Sequence, residues 1–156
     1  MVPPRACARV VVTALLAAAA LAGCATVQEQ PPAAVALATS VPTDGLVGTW
    51  GIASYREEDD RARTEAIARQ QCRIPYVIER GPTDGVMMHA ADDPKLYELK
   101  LKGASDGRTY IGFEAPPGHR QDREILSYEP DLITMRFVDP DVHARYGTFI
   151  YTRCPA

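Results

Sequence analysis

Eight short β-prone segments follow one another at close, regular spacing: 47–55, 74–80, 86–90, 96–102, 108–114, 123–128, 132–138 and 146–153. Turn-forming stretches separate them, among them Gly81-Pro82-Thr83-Asp84-Gly85, Asp92-Asp93-Pro94, Pro116-Pro117-Gly118 and Asp139-Pro140-Asp141. Short strands joined by tight turns describe an antiparallel meander. The alternation inside them agrees. Tyr97, Leu99 and Leu101 fall on one face and Glu98, Lys100 and Lys102 on the other. Ile133, Met135 and Phe137 oppose Thr134 and Arg136, and Thr109, Ile111 and Phe113 form a third inward set. A sheet with one dry face and one charged face suits a domain in water. A membrane barrel would put those charges against lipid. Closure removes the exposed edges of such a sheet. The expected fold is therefore mainly β: a small antiparallel up-and-down barrel of about eight strands with one inserted helix. An eight-stranded interior is just wide enough for side chains, so the seven tyrosines and three phenylalanines are expected to fill it rather than line a cavity.

The helix is expected over 57–71, a stretch without glycine or proline. Glu57, Glu58, Asp59 and Asp60 crowd its first turn, where the helix dipole favours negative charge. Glu57 with Arg61, Asp59 with Arg63 and Glu65 with Arg69 are spaced as i,i+4 ion pairs. Its thin apolar stripe, Ala62, Ala66 and Ile67, suggests a helix on the surface or across an opening of the barrel.

The first 23 residues have a different character. Arg5 and Arg9 precede an apolar run over 10–22, broken by Thr13. Thirteen residues are too few to span a bilayer, which takes about 20. The pattern is that of a secretory signal. It ends in Leu21-Ala22-Gly23-Cys24, which resembles the lipobox of bacterial lipoproteins. That resemblance implies removal of residues 1–23 and a diacylglycerol on the Cys24 thiol, with a further acyl chain such as palmitate on its freed amine. Each buried methylene contributes about 0.8 kcal/mol, and two or more chains anchor stably. Ala25, rather than aspartate, follows the cysteine. By the family's sorting pattern this implies the outer membrane, with the domain facing the periplasm.

Residues 24–44 read as a flexible tether, with Pro31, Pro32 and Pro42 among small and polar residues and no aromatic. The barrel domain then occupies 45–156. Two of the 17 bases precede Cys24 and all 20 acids follow it, leaving a net charge of −5 on the processed chain. With no basic cluster, neither nucleic acid nor an anionic lipid surface is an expected partner. The membrane is engaged through the acyl anchor alone.

Of four cysteines, Cys7 leaves with the signal and Cys24 is acylated. Cys72 and Cys154 remain, and an even remainder in an oxidising compartment implies a disulfide. Neither has the spacing of a zinc ligand. The pairing conflicts with a strict meander. Seven strands between the two cysteines would leave them at opposite ends, beyond the ~7 Å reach of a disulfide. Either the strand count differs or the helix lies lengthwise on the wall.

Gly48-Thr49-Trp50 at the start of the first strand resembles the opening motif of lipocalins and of small-barrel outer-membrane lipoproteins and protease inhibitors. The resemblance implies a lipocalin-like barrel. It also implies two alternative activities: inhibition of a periplasmic protease, or carriage of a small apolar ligand.

No catalytic, cofactor-binding or metal-ligating set is expected. The chain has no Gly-x-Ser-x-Gly. His119 and His143 read as solvated loop residues and His89 as a half-buried strand residue. The Asp139-Pro140-Asp141 string lacks the alternating ligands of a calcium loop and reads as a turn. A non-enzymatic binding or structural module is expected, with an envelope protein or a protease as partner. In a meander the helix and the segments 92–94, 115–122 and 139–145 share one end, and the turns at 81–85, 103–107 and 129–131 share the other with the tether. The long-loop end then points away from the membrane, and displayed loops are where binding residues gather.

Overall fold

The computed structural model describes residues 37–155; the signal segment, Cys24 and the first part of the tether lie outside the described residues. Strands β1 (Gly48–Tyr55), β2 (Tyr76–Arg80), β3 (Val86–His89), β4 (Leu96–Gly103), β5 (Thr109–Gly112), β6 (Arg123–Glu129), β7 (Leu132–Phe137) and β8 (Thr148–Arg153) form a closed barrel in sequence order. Adjacent strands pair antiparallel, and β1 closes on β8 from Trp50 opposite Arg153 to Tyr55 opposite Thr148. The expected eight-stranded up-and-down barrel is the fold.

The period-2 alternation sets the core. Trp50, Ile78, Met88, Leu99, Ile111, Ile133 and Met135 point inward and are at most 2% exposed. Burying each such side chain stabilises the fold by about 1.5–3 kcal/mol. Most of the aromatic residues fill the barrel: Tyr151 belongs to this core, and Tyr76, Tyr97, Tyr128, Phe113 and Phe149 pack against it; Tyr55 lies instead outside the wall, and Phe113 and Phe137 also line a cavity at one end. A bulge between Ile125 and Ser127 reverses the facing along β6 and turns Leu126 out to solvent.

One end is closed by the chain that precedes β1. Helix α1 (Thr43–Leu46) lies across it, with Leu46 fully buried and Val41 only 3% exposed. The indole N–H of Trp50 donates to the Leu46 carbonyl at 2.8 Å. Leu37 bridges Gly103 on β4. The stretch expected to be tether up to Asp44 is thus structured from Leu37 onward, because Val41 and Leu46 supply apolar surface that stoppers the barrel.

The conflict over the cysteines resolves in the helix. A 3-10 turn (Glu58–Asp60), α2 (Arg61–Gln70) and a second 3-10 turn (Gln71–Arg73) carry the chain down the outer wall, antiparallel to β1. Tyr55, Ala68 and Ile150 form a small outer core beneath the helix. Strand β2 begins only at Tyr76, opposite Trp50, because the helix has already brought the chain toward the closed end. Cys72 and Cys154 are disulfide-bonded, with Cα atoms 5.4 Å apart, and the Cys154 N–H donates to the Thr49 carbonyl at 2.9 Å. Eight strands and the disulfide are both present, since the helix supplies the extra traverse.

Several local expectations are corrected. The buried residues of α2 are Thr64 and Ala68, whereas Ala62, Ala66 and Ile67 are exposed. The helix sits so close to β1 that a Cβ at Gly51 would collide with the Ala68 carbonyl, so the face that carries Ala68 and Thr64 is the one against the wall. Glu65–Arg69 pairs at 2.6 Å as expected, but Arg61 and Arg63 pair with Glu58 and Asp60, three residues back. The 3-10 geometry of the first turn brings i and i+3 into line. Asp139-Pro140-Asp141 opens a helix, α3 (Pro140–Tyr146), and is not a plain turn. Asp139 caps it, accepting from the N–H groups of Asp141 and Val142, and Pro140 occupies the first turn. His143 therefore lies on a helix and is half-buried, and the last strand starts at Thr148.

Candidate binding site at the barrel mouth

Opposite the closed end, the β3–β4, β5–β6 and β7–β8 connections converge, as the meander argument expected. They are tied to one another. Arg145 pairs with Asp92 at 2.6 Å, and the Tyr146 hydroxyl donates to the same carboxylate. Arg120 pairs with the capping Asp139 at 2.6 Å. Arg56, just past β1, donates to the carbonyls of Ala144 and Arg145. The Tyr146 hydroxyl, and after it the Arg145 guanidinium, hold the Asp92 carboxyl below its usual range.

The β5–β6 loop, 113–122, is held by Asp122. This carboxylate is fully buried. It accepts from Lys102 Nζ at 2.6 Å and from the N–H groups of Gly118 and His119 at 3.0 Å each. Lys102 also donates to the Phe113 carbonyl at 3.0 Å. Gly112 makes room for this, since a Cβ there would overlap Asp122 Oδ1. The result is a rigid rim in place of a set of free loops.

Between the loops lies a cavity of about 240 Å³. Ala90, Ala91, Phe113, Phe137 and Val142 supply its apolar walls, with Asp92, Arg120, Gln121 and Asp139 at the polar margin. The rim ion pairs leave the margin close to neutral. A shallower concavity of about 450 Å³ lies beside the disulfide, lined by Arg69, Gln70, Cys72 and Arg73.

Beneath the mouth is a residue that the sequence reading placed in a strand without assigning it a role. Arg123 opens β6 opposite Ile111 and Phe137, both inward-facing, and so projects into the barrel. It is 6% exposed. Its guanidinium lies 4.4 Å from the Phe137 ring centroid and donates through Nη2 to the His89 carbonyl at 2.6 Å. Its Nε has no hydrogen-bond partner among the described residues. The signal was available: Arg123 shares strand parity with Ile125, and Ile125 must face in.

The Phe137 ring that Arg123 meets belongs to a chain of aromatic contacts. Tyr151 meets Tyr76 edge-on at 6.4 Å and Phe149 at 6.3 Å, and Phe149 meets Phe137 at 5.9 Å. Burial pushes the Tyr151 phenol up to about 12, against the opposing influence of Arg123. Burial likewise raises Tyr76, opposed by the His89 N–H and by Arg123. Both phenols keep their protons at neutral pH. The Tyr76 hydroxyl accepts from the His89 N–H at 3.0 Å and sits 3.1 Å from its Nδ1. His89 is thus half-buried in the wall, as expected, while His119 is exposed on the rim.

Cys72 and Cys154 lie near the closed end and take no part in the mouth; Cys24 lies outside the described residues. Among the described residues, no group of three or more His, Cys, Asp or Glu side chains converges as for a metal ion. No described helix is long and apolar enough to cross a membrane. Comparison with protein-family models, curated proteins and solved structures finds no match to this chain.

Proposed function

We propose that the protein is a lipid-anchored lipoprotein of the bacterial envelope that acts as a non-enzymatic binding module, with the barrel mouth as its binding face. The observation that carries this reading is the polarity of the barrel. The chain enters at the stoppered end, through Val41 and Leu46, and the cavity and convergent loops lie at the other. An anchor at Cys24 would leave that mouth facing away from the membrane surface. The chemistry of the mouth suits recognition. Its carboxylates are engaged in ion pairs and a helix cap, and the buried phenols beneath it are held protonated, a poor state for a base or a nucleophile.

The test is Cys24→Ser in the full-length chain. Wild type is expected to partition into the detergent phase and to fractionate with the outer membrane, and the variant to appear in the aqueous phase and the soluble periplasmic fraction. Retention of the variant in the detergent phase overturns the anchor. Recovery of wild type with the inner membrane overturns the outer-membrane assignment.

A further inference from the structure

We propose that Arg123 anchors a site for a small apolar monocarboxylate: the carboxylate pairs with the guanidinium inside the barrel, and the apolar body occupies the mouth cavity against Phe137. This deepens the binding-module reading and rests on it. A cation this buried is costly unless it is paired. Arg123 has one carbonyl acceptor at 2.6 Å and one aromatic face at 4.4 Å. Neither cancels a full charge. None of the ion pairs among the described residues includes it, and its buried Nε lacks an acceptor. The interior is one anion short.

The shape and charge of the surroundings define that anion. A guanidinium fork matches the two oxygens of a carboxylate. A single unpaired cation balances a single negative charge, and the margin adds no further unpaired cation, since Arg120 and Arg145 are already engaged by Asp139 and Asp92. Phe137 joins the two halves of the site, since its ring meets Arg123 and also lines the cavity. At about 240 Å³ the cavity falls below the ~300–1,000 Å³ of drug-sized sites. It exceeds the ~150 Å³ that accepts benzene. A phenyl ring or a short acyl chain fits; a long lipid does not, because the barrel below is filled by side chains.

The test titrates the mature lipidated protein, in nanodiscs, with benzoate, phenylacetate and hexanoate, and with benzyl alcohol and inorganic phosphate for comparison. Amide and guanidinium nitrogen–proton spectra give the readout. The carboxylates are expected to shift the Arg123 Nε–H and the amides of Ala90, Ala91 and Val142 saturably. Benzyl alcohol should bind at least tenfold more weakly than benzoate, and phosphate should give no saturable shift. Arg123→Lys, which keeps the charge and loses the fork, should weaken benzoate at least tenfold, and Arg123→Met should abolish the preference for acid over alcohol. Equal binding of benzoate and benzyl alcohol to wild type overturns the proposal, as does a preference for phosphate. The wild-type comparison decides the matter even if a variant fails to fold. Failure of the carboxylates, with Cys24-dependent anchoring intact, removes the Arg123 site and leaves the binding-module reading standing.

Discussion

The guanidinium of Arg153 lies over the Trp50 indole, 4.1 Å from the ring centroid, and donates to the carbonyls of Val47, Gly45 and Pro130. One side chain from the last strand thereby holds the first strand, the helix that stoppers the barrel and the β6–β7 turn. A cation–π contact contributes about 0.5–2 kcal/mol and hydrogen bonds from a charged donor about 1.5–3 kcal/mol each, without full additivity. Arg153→Ala should cost about 2–4 kcal/mol. The check is a lower urea midpoint at unchanged slope, with a red shift of Trp50 emission in the native state. An unchanged midpoint would contradict the role given to this contact.

The disulfide closes a separation of 82 residues and pins the 3-10 turn after α2 to the residue that follows β8. Loops of this length correspond to about 4–5 kcal/mol in a chain-entropy account, with measured values more often about 2–4 kcal/mol. Replacing both Cys72 and Cys154 by alanine should lower the melting temperature without changing membrane partition. Thiol titration of the unreduced mature protein in denaturant should find no reactive thiol. Two reactive thiols would rule the bond out.

The parts of this fold that were legible in the sequence are those governed by local physics. Period-2 alternation at Tyr97-Leu99-Leu101 and turn chemistry at Gly81–Gly85 each act within a few residues, so they gave the strands, their order and the loop ends. The parts that depend on distant partners were not legible. Thr64 and Ala68 are buried because Gly51 lets the helix approach, which no pattern inside the helix encodes. Val41 reads as tether until Trp50 and Leu46 give it something to pack on. Asp139 caps a helix whose apolar face is too short to announce itself. Arg123 carries a charge that a strand normally turns to water, and only its parity with Ile125 marks it as inward-facing.

Asp122 and Lys102 form the most buried ion pair of the described residues, with side chains 0% and 11% exposed. Asp122→Ala strips the acceptor from Lys102 and from two loop N–H groups at once. Losing one partner of a buried pair costs about 3–5 kcal/mol. Asp122→Ala should therefore destabilise strongly and free residues 113–122, seen as accelerated amide exchange at Gly118 and His119. Adding Lys102→Met should recover part of the loss, because it removes the orphaned charge. A double variant no more stable than Asp122→Ala would contradict this account.

Glu98 provides a pH signature. Burial raises its pKa, but hydrogen bonds from the Thr83 hydroxyl, the N–H groups of Gly85 and Thr83 and the Lys100 ammonium outweigh burial and bring it down to about 2. A folded pKa below the unfolded one means that the ionised group stabilises the fold above the unfolded value, about 4.3. That stabilisation fades as pH falls toward about 2. Glu98→Gln should therefore be less stable than wild type at pH 7, with the gap closing through the acid limb. A gap that persists unchanged at the acid end would contradict the assignment.

The central claim is that residues 1–23 are removed and that Cys24 becomes a lipid-bearing N-terminus holding the stoppered end of the barrel toward the membrane. The most direct measurement is the intact mass of the protein recovered from bacterial membranes, with fragmentation of its N-terminal peptide. The account predicts a chain beginning at Cys24 that carries a thioether-linked diacylglycerol. A chain that retains residues 1–23, or one that begins elsewhere without lipid, would contradict it.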